Sequence, residues 1–148
     1  MRYGTANPWP LPVIYAPASD TTLTAGSETL AITTTSALVG VPGMSYVPVI
    51  WGCAAILMGS SAATALVLAA RYNGGSDFAT MTIAPAVLAN SATLMVPLML
   101  IGAQVDAAAD GTLGGAAIEI TGLATTHDAT WKKVGTAIQI MLIPGMSS

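Results

Sequence analysis

Tyr46-Val47-Pro48-Val49-Ile50-Trp51-Gly52-Cys53-Ala54-Ala55-Ile56-Leu57-Met58-Gly59-Ser60-Ser61-Ala62-Ala63-Thr64-Ala65-Leu66-Val67-Leu68-Ala69-Ala70 runs for 25 residues without a charge. That length invites a membrane reading, because a hydrocarbon core needs about 20 mostly apolar residues. Met81 to Val105 is a second uncharged stretch. Each is broken at its centre, the first by Gly59-Ser60-Ser61 and the second by Asn90-Ser91. The pieces on either side are roughly a dozen residues or fewer, which suits strands better than helical spans. The flanks also lack the Lys/Arg clusters that set orientation, Arg71 being the only cation near either stretch. The breaks therefore read as joints between strands, with Ser45 to Met58 and Ala62 to Tyr72 as the first two. A buried helix over Ala62–Arg71 competes locally, since short apolar runs are not settled by periodicity. Asn73-Gly74 immediately after it favours a hairpin.

The same signals continue in both directions. Thr29 to Thr35 is β-branched and alternates around Leu30 and Ile32, and Pro42-Gly43 marks a turn. Asp77 to Ala84 alternates loosely through Phe78, Met81 and Ile83. Ser91 to Val105 contains Pro97, which suits an edge position or a bulge. Ala116 to Leu123 sets Ile118 and Ile120 against Glu119 and Thr121, and Thr130 to Pro144 spaces Val134, Ile138, Ile140 and Leu142 by two or four. Short apolar runs with turn signals between them predict an all-β protein, an antiparallel β-sandwich.

Residues 1–20 differ from the rest. Asn7-Pro8-Trp9-Pro10-Leu11-Pro12-Val13-Ile14-Tyr15-Ala16-Pro17 is rich in proline, which fixes φ, removes a donor and keeps its predecessor extended. The segment reads as an extended Pro-rich N-terminal arm in front of a single domain over 21–148. Trp9, Leu11, Val13, Ile14 and Tyr15 make it too apolar for a free tail, so it wants a groove on its own body or on a neighbour.

Composition bounds the function. Only 7% of the 148 residues are charged while 53% are hydrophobic, against about 25% charged in ordinary soluble domains. A lone monomer of that kind has difficulty keeping its surface free of apolar patches. Four Lys plus Arg against seven Asp plus Glu give a net charge of −3 and no basic footprint for nucleic acid. Met1-Arg2-Tyr3-Gly4 lacks the pattern of a signal peptide. Cys53 is alone and reads as a small buried hydrophobe.

Chemistry-bearing residues are few. His127, the single histidine, stands beside Asp128, but adjacent strand residues face opposite ways and no G-x-S-x-G motif is present. One His and one Cys do not close a tetrahedral metal shell. Asp106 and Asp110-Gly111 are separated by alanines, so an EF-hand pattern fails and a solvated loop is expected. Trp131, beside Lys132-Lys133, is a candidate for a sugar platform, whereas Trp51 sits in an apolar strand. The sequence argues against an enzyme and calls for no cofactor.

The segments Leu94-Met95-Val96-Pro97-Leu98-Met99-Leu100-Ile101-Gly102 and Ile118-Glu119-Ile120-Thr121-Gly122-Leu123, with the closing strand Val134 to Pro144, resemble late strands of viral jelly-roll and trimeric sandwich modules. Over roughly Thr21 to Pro144 the chain resembles tailed-phage structural proteins, most closely the small capsid decoration or cement proteins. That resemblance implies a sandwich of jelly-roll type on the outer capsid surface of a virion. It also implies the major capsid protein as partner, a homotrimeric body, and residues 1–20 as the anchor. Two strands look hydrophobic on both sides, Tyr46–Met58 and Leu94–Ile101, so Trp51, Leu94, Val96, Leu98 and Leu100 are the expected oligomer interface. The alternative functions are a phage fibre or receptor- and carbohydrate-binding module, and a small integral membrane protein.

Overall fold

The computed structural model describes residues 13–34, 39–84, 88–113 and 117–145. The break at Gly59-Ser60-Ser61 ends one strand, β4 (Ser45–Met58), and precedes another, β5 (Ala65–Tyr72), as read from the sequence. These two do not pair with each other. The chain crosses there from one sheet to a second, so the break is a passage between layers. β5 is a strand along its whole length, and Asn73-Gly74 turns it into β6 (Asp77–Ile83). Gly74 supplies the positive φ of that turn.

The remaining strands are β1 (Val13–Tyr15), β2 (Thr21–Leu23), β3 (Thr29–Thr33), β7 (Thr93–Ile101), β8 (Val105–Asp106), β9 (Ile118–Thr125) and β10 (Ala129–Pro144). Four antiparallel pairs are nested within one another: β5 with β6, β4 with β7, β3 with β9 and β2 with β10. Two further antiparallel pairings, β10 with β4 and β9 with β5, join these into two sheets. Sheet A runs β1-β10-β4-β7, with β2 following β1 along β10 and β8 at one end of β4. Sheet B runs β3-β9-β5-β6. The expected strand Ser91–Val105 divides into β7 and β8, and the Val13–Tyr15 part of the arm is an edge strand on its own body. Trp9 and Leu11 lie outside the described residues.

Both sheets turn one face inward onto a shared main core, and a smaller cluster forms around Tyr46, Ala107, Leu113 and Leu142. Ile50, Ile56, Val96, Leu98, Trp131, Ile138 and Ile140 come from sheet A, and Ile32, Leu66, Leu68, Ile118 and Ile120 from sheet B. Period-two alternation decides this face, and burial of such side chains is the main stabilising term. Among the described residues there is no helix, hence none long and apolar enough to cross a membrane.

Candidate functional site

Antiparallel register places directly opposed residues on the same face of a sheet. Across sheet A, Ile14 pairs with Gln139, Gln139 with Trp51, and Trp51 with Met99. The next outward row is Met141, Val49 and Ile101, and the one on the other side is Ala137, Cys53 and Pro97. None of these residues is charged. Each core-facing position between them is a buried aliphatic or a glycine, so the outer face of sheet A is apolar because both parities of its strands are apolar. On it Ile14, Trp51, Met95, Met99 and Ile101 stand exposed, together with Val134 above the sheet. Their exposures run from 41% at Trp51 to 83% at Val134, which is far from core values.

Val134 owes its position to a large bulge. Lys132 opposes Ala55 and Ala137 opposes Cys53, so four residues of β10 stand against Ala54 alone. Thr136 holds the loop together. Its Oγ1 accepts from the Ala55 amide (3.0 Å) and the Trp131 indole N–H (3.2 Å), and donates to the Lys132 carbonyl (2.6 Å). A hydroxyl offers one donor and two acceptor sites, so this one is saturated. Gly135 takes φ +89° and folds the bulge over Ala55, which explains why Ala55 is buried despite pointing outward. Just past the bulge, opposite Ile138, Gly52 takes φ +145°, and a side chain there would collide with the Ala137 carbonyl and lie 2.9 Å from Ile138 Cα. At the root of the bulge Asp20 accepts from Lys132 Nζ and from the Lys133 amide (2.9 Å). These two contacts, the lysine ammonium foremost, hold the Asp20 carboxyl below the usual range.

The outer face of sheet B has the opposite character. Arg71 Nε donates to Glu119 Oε2 (2.7 Å) and its NH1 to Glu28 Oε1 (2.9 Å), and Asp77 pairs in register with Arg71. The hydrogen bond to Glu119 and the surrounding carboxylates push the guanidinium further up. The Arg71 cluster lies on the outer face of sheet B, whereas on sheet A the rows through Val49, Trp51 and Cys53 carry no charge and the row through Met95 begins at Lys132, which is paired with Asp20.

The arm and interface residues read from the sequence are distributed unevenly. Val13 pairs with Ile140 through its backbone, Ile14 is on the outer face of sheet A, and Tyr15 packs half-buried against the core, where desolvation raises its phenol. Trp51 is on the exposed face as the interface reading requires. Val96, Leu98 and Leu100 are not, because all three are buried between the sheets, with Leu94 partly buried beside them. The exposed side of β7 is carried instead by Met95, Pro97, Met99 and Ile101. Val134, grouped by spacing with Ile138, Ile140 and Leu142, departs from them because the bulge turns it out to solvent while those three are buried, and Thr136 carried no recognisable signal. On β7 the core parity holds Leu and Val while the outward parity holds two Met and Pro, a difference that points to the right face.

Trp131 is fully buried and its indole N–H is engaged by Thr136, so it offers no sugar platform. His127 is exposed in the β9–β10 turn. Its neighbour Asp128 accepts the Ala25 amide through Oδ1 at 2.7 Å. The turn borders a shallow depression of about 400 Å³ with Gly59, Ser60, Ser61 and Thr126, the last held at φ +73°. Asp106 accepts from the Ser45 hydroxyl (2.5 Å), and Asp110 accepts the Thr112 amide and hydroxyl, which lower its carboxyl. Among the described residues no three His, Cys, Asp or Glu side chains converge as a metal site would require. Compared with protein-family models and with curated proteins, the sequence matches none.

Proposed function

We propose that this chain is a structural protein of a virus shell, a capsid decoration protein that binds the outer capsid surface and stabilises it. The observation that carries the reading is the broad, exposed apolar outer face of sheet A, whose rows through Val49, Trp51 and Cys53 hold no charge. A monomer normally leaves apolar patches of no more than about 300–600 Å², and a face of this breadth is suited to being covered by protein. The nested pairing β5–β6, β4–β7, β3–β9 and β2–β10 supports a β-sandwich of jelly-roll type, the architecture of many virion proteins. In this reading residues 1–20 anchor the protein to the major capsid protein through Trp9, Leu11 and their neighbours, and the body associates with copies of itself as a trimer.

The register of β1 sharpens the experiment. Because Val13–Tyr15 pairs with β10, removing those residues would strip an edge strand from the body. The informative truncation begins the chain at Val13. Co-sedimentation with purified shells of the virus that carries this protein should be lost in the truncated chain while circular dichroism shows the body still folded. Equal binding by the truncated and full chains would refute the anchoring role, and no binding by the full chain would refute the reading itself.

A further inference from the structure

We infer that the outer face of sheet A is the surface on which a second copy of this chain sits. The inference deepens the structural reading above and rests on it, but it identifies which surface serves self-association. Six residues define the face: Ile14 from β1, Trp51 from β4, Met95, Met99 and Ile101 from β7, and Val134 from the bulge of β10. Taking roughly 150–250 Å² for a large side chain of this kind, their exposed fractions leave on the order of 500–900 Å² of largely apolar surface. One partner of a stable interface contributes about 800 Å². The six residues alone therefore approach what a stable dimer needs, before Val49, Pro97, Gln139 and Met141 between them are counted.

Charge decides which occupant fits. The rows from Met141 across to Ile101 and from Ala137 across to Pro97 hold no ionisable side chain other than Cys53. Across these rows a charged partner finds nothing to pair with and would be desolvated without compensation, the charges nearest the face being Lys132, already paired with Asp20, and Lys133 at the bulge. A surface of the same composition meets it without that cost, and this molecule carries one. The rim supplies orientation: Lys132 and Lys133 at the root of the bulge are tied to Asp20 of the same chain, so the bulge is presented in a fixed position with Val134 at its tip. Around β7 the face continues into an apolar groove of about 300 Å³ formed with Met81 and Ile83 of β6. A rigid apolar knob beside an apolar groove on one surface is the arrangement from which copies of one chain build reciprocal contacts.

The test is the native mass of the full-length protein in the absence of any shell. The wild-type chain should run as a multiple of 14.8 kDa. Met99→Lys should raise the dissociation constant by roughly 100-fold or more, since central interface positions carry most of the affinity. Val134→Lys, at a bulge tip remote from the core, should do the same independently of β7. Leu30→Lys, an exposed apolar residue on sheet B, should leave the mass unchanged. A wild-type monomer at micromolar concentration, or a Met99→Lys and Val134→Lys pair that both stay assembled, would overturn the inference, as would an equal loss of mass in Leu30→Lys. Shell binding is read in a separate assay, so a monomer that still binds shells would sink this inference alone, and an assembly that ignores shells would sink only the capsid reading.

Discussion

Replacing Thr136 by valine keeps the shape of the side chain and removes one hydroxyl. Two buried donors, the Ala55 amide and the Trp131 indole N–H, then lose their acceptor, and the Lys132 carbonyl loses a donor. An orphaned buried donor costs about 1–3 kcal/mol, so the two together should cost about 2–6 kcal/mol. For a domain of this size each kcal/mol lowers Tm by about 2–4 °C, which puts the expected fall at about 4–24 °C. Thr136→Ser is the control: it retains the hydroxyl and loses one methyl, worth about 1 kcal/mol. Thermal unfolding followed by circular dichroism at one fixed protein concentration compares the three proteins, since association makes Tm depend on concentration. If Thr136→Val melts no lower than Thr136→Ser, the hydroxyl is not what holds the bulge. If the reasoning is right, the valine variant should also associate less well, because Val134 loses its fixed position on the face of sheet A.

Gly52→Ala places a side chain against the Ala137 backbone in a region of φ that only glycine tolerates, and should cost about 2–6 kcal/mol by denaturant titration. Leu98→Ala and Met99→Ala, adjacent on β7, should separate cleanly: the first loses about 2–5 kcal/mol of folding stability, and the second leaves monomer stability nearly unchanged. Equal effects at the two positions would contradict the described register. The Asp20 carboxyl lies below its usual value in the folded protein, so its contribution is present above the unfolded value of about 3.9 and fades as pH falls through the lower folded one. Asp20→Asn should therefore melt below wild type by a constant margin above about pH 5, and that margin should close in more acidic buffer.

Strand positions were legible because turns interrupt them. Gly59-Ser60-Ser61, Asn73-Gly74 and Asn90-Ser91 each mark a joint, and β4, β5, β6, β9 and β10 lie close to where those joints put them. The facing of β7 was not legible from apolarity, since Leu94 through Ile101 are apolar at both parities and period two then has no phase. Register against β4 supplies the phase, and that is a contact between residues 36 to 52 apart in sequence. The bulge of β10 was hidden for a related reason. Lys132-Lys133-Val134-Gly135-Thr136 reads as a continuing strand unless Ala54 is known to stand opposite all of its middle residues. Trp131 misled because its lysine neighbours suggest a wet surface, whereas alternation turns its ring inward and the lysines to the rim.

β10 lies between β4 on one side and β1 with β2 on the other, and it is synthesised after all of them. Until it arrives, β1 and β2 have no sheet to join and β4 keeps an open edge, so the early chain holds β4 with β7 and β8 as the largest possible fragment of sheet A. Long-range pairings of this kind form slowly and leave apolar edges open to aggregation. The row Ile14-Gln139-Trp51-Met99 does not exist before the last strand is inserted. On the self-association inferred above, assembly is timed to the completion of the fold: an unfinished chain offers only the β4 and β7 part of the surface, without Ile14 and Val134.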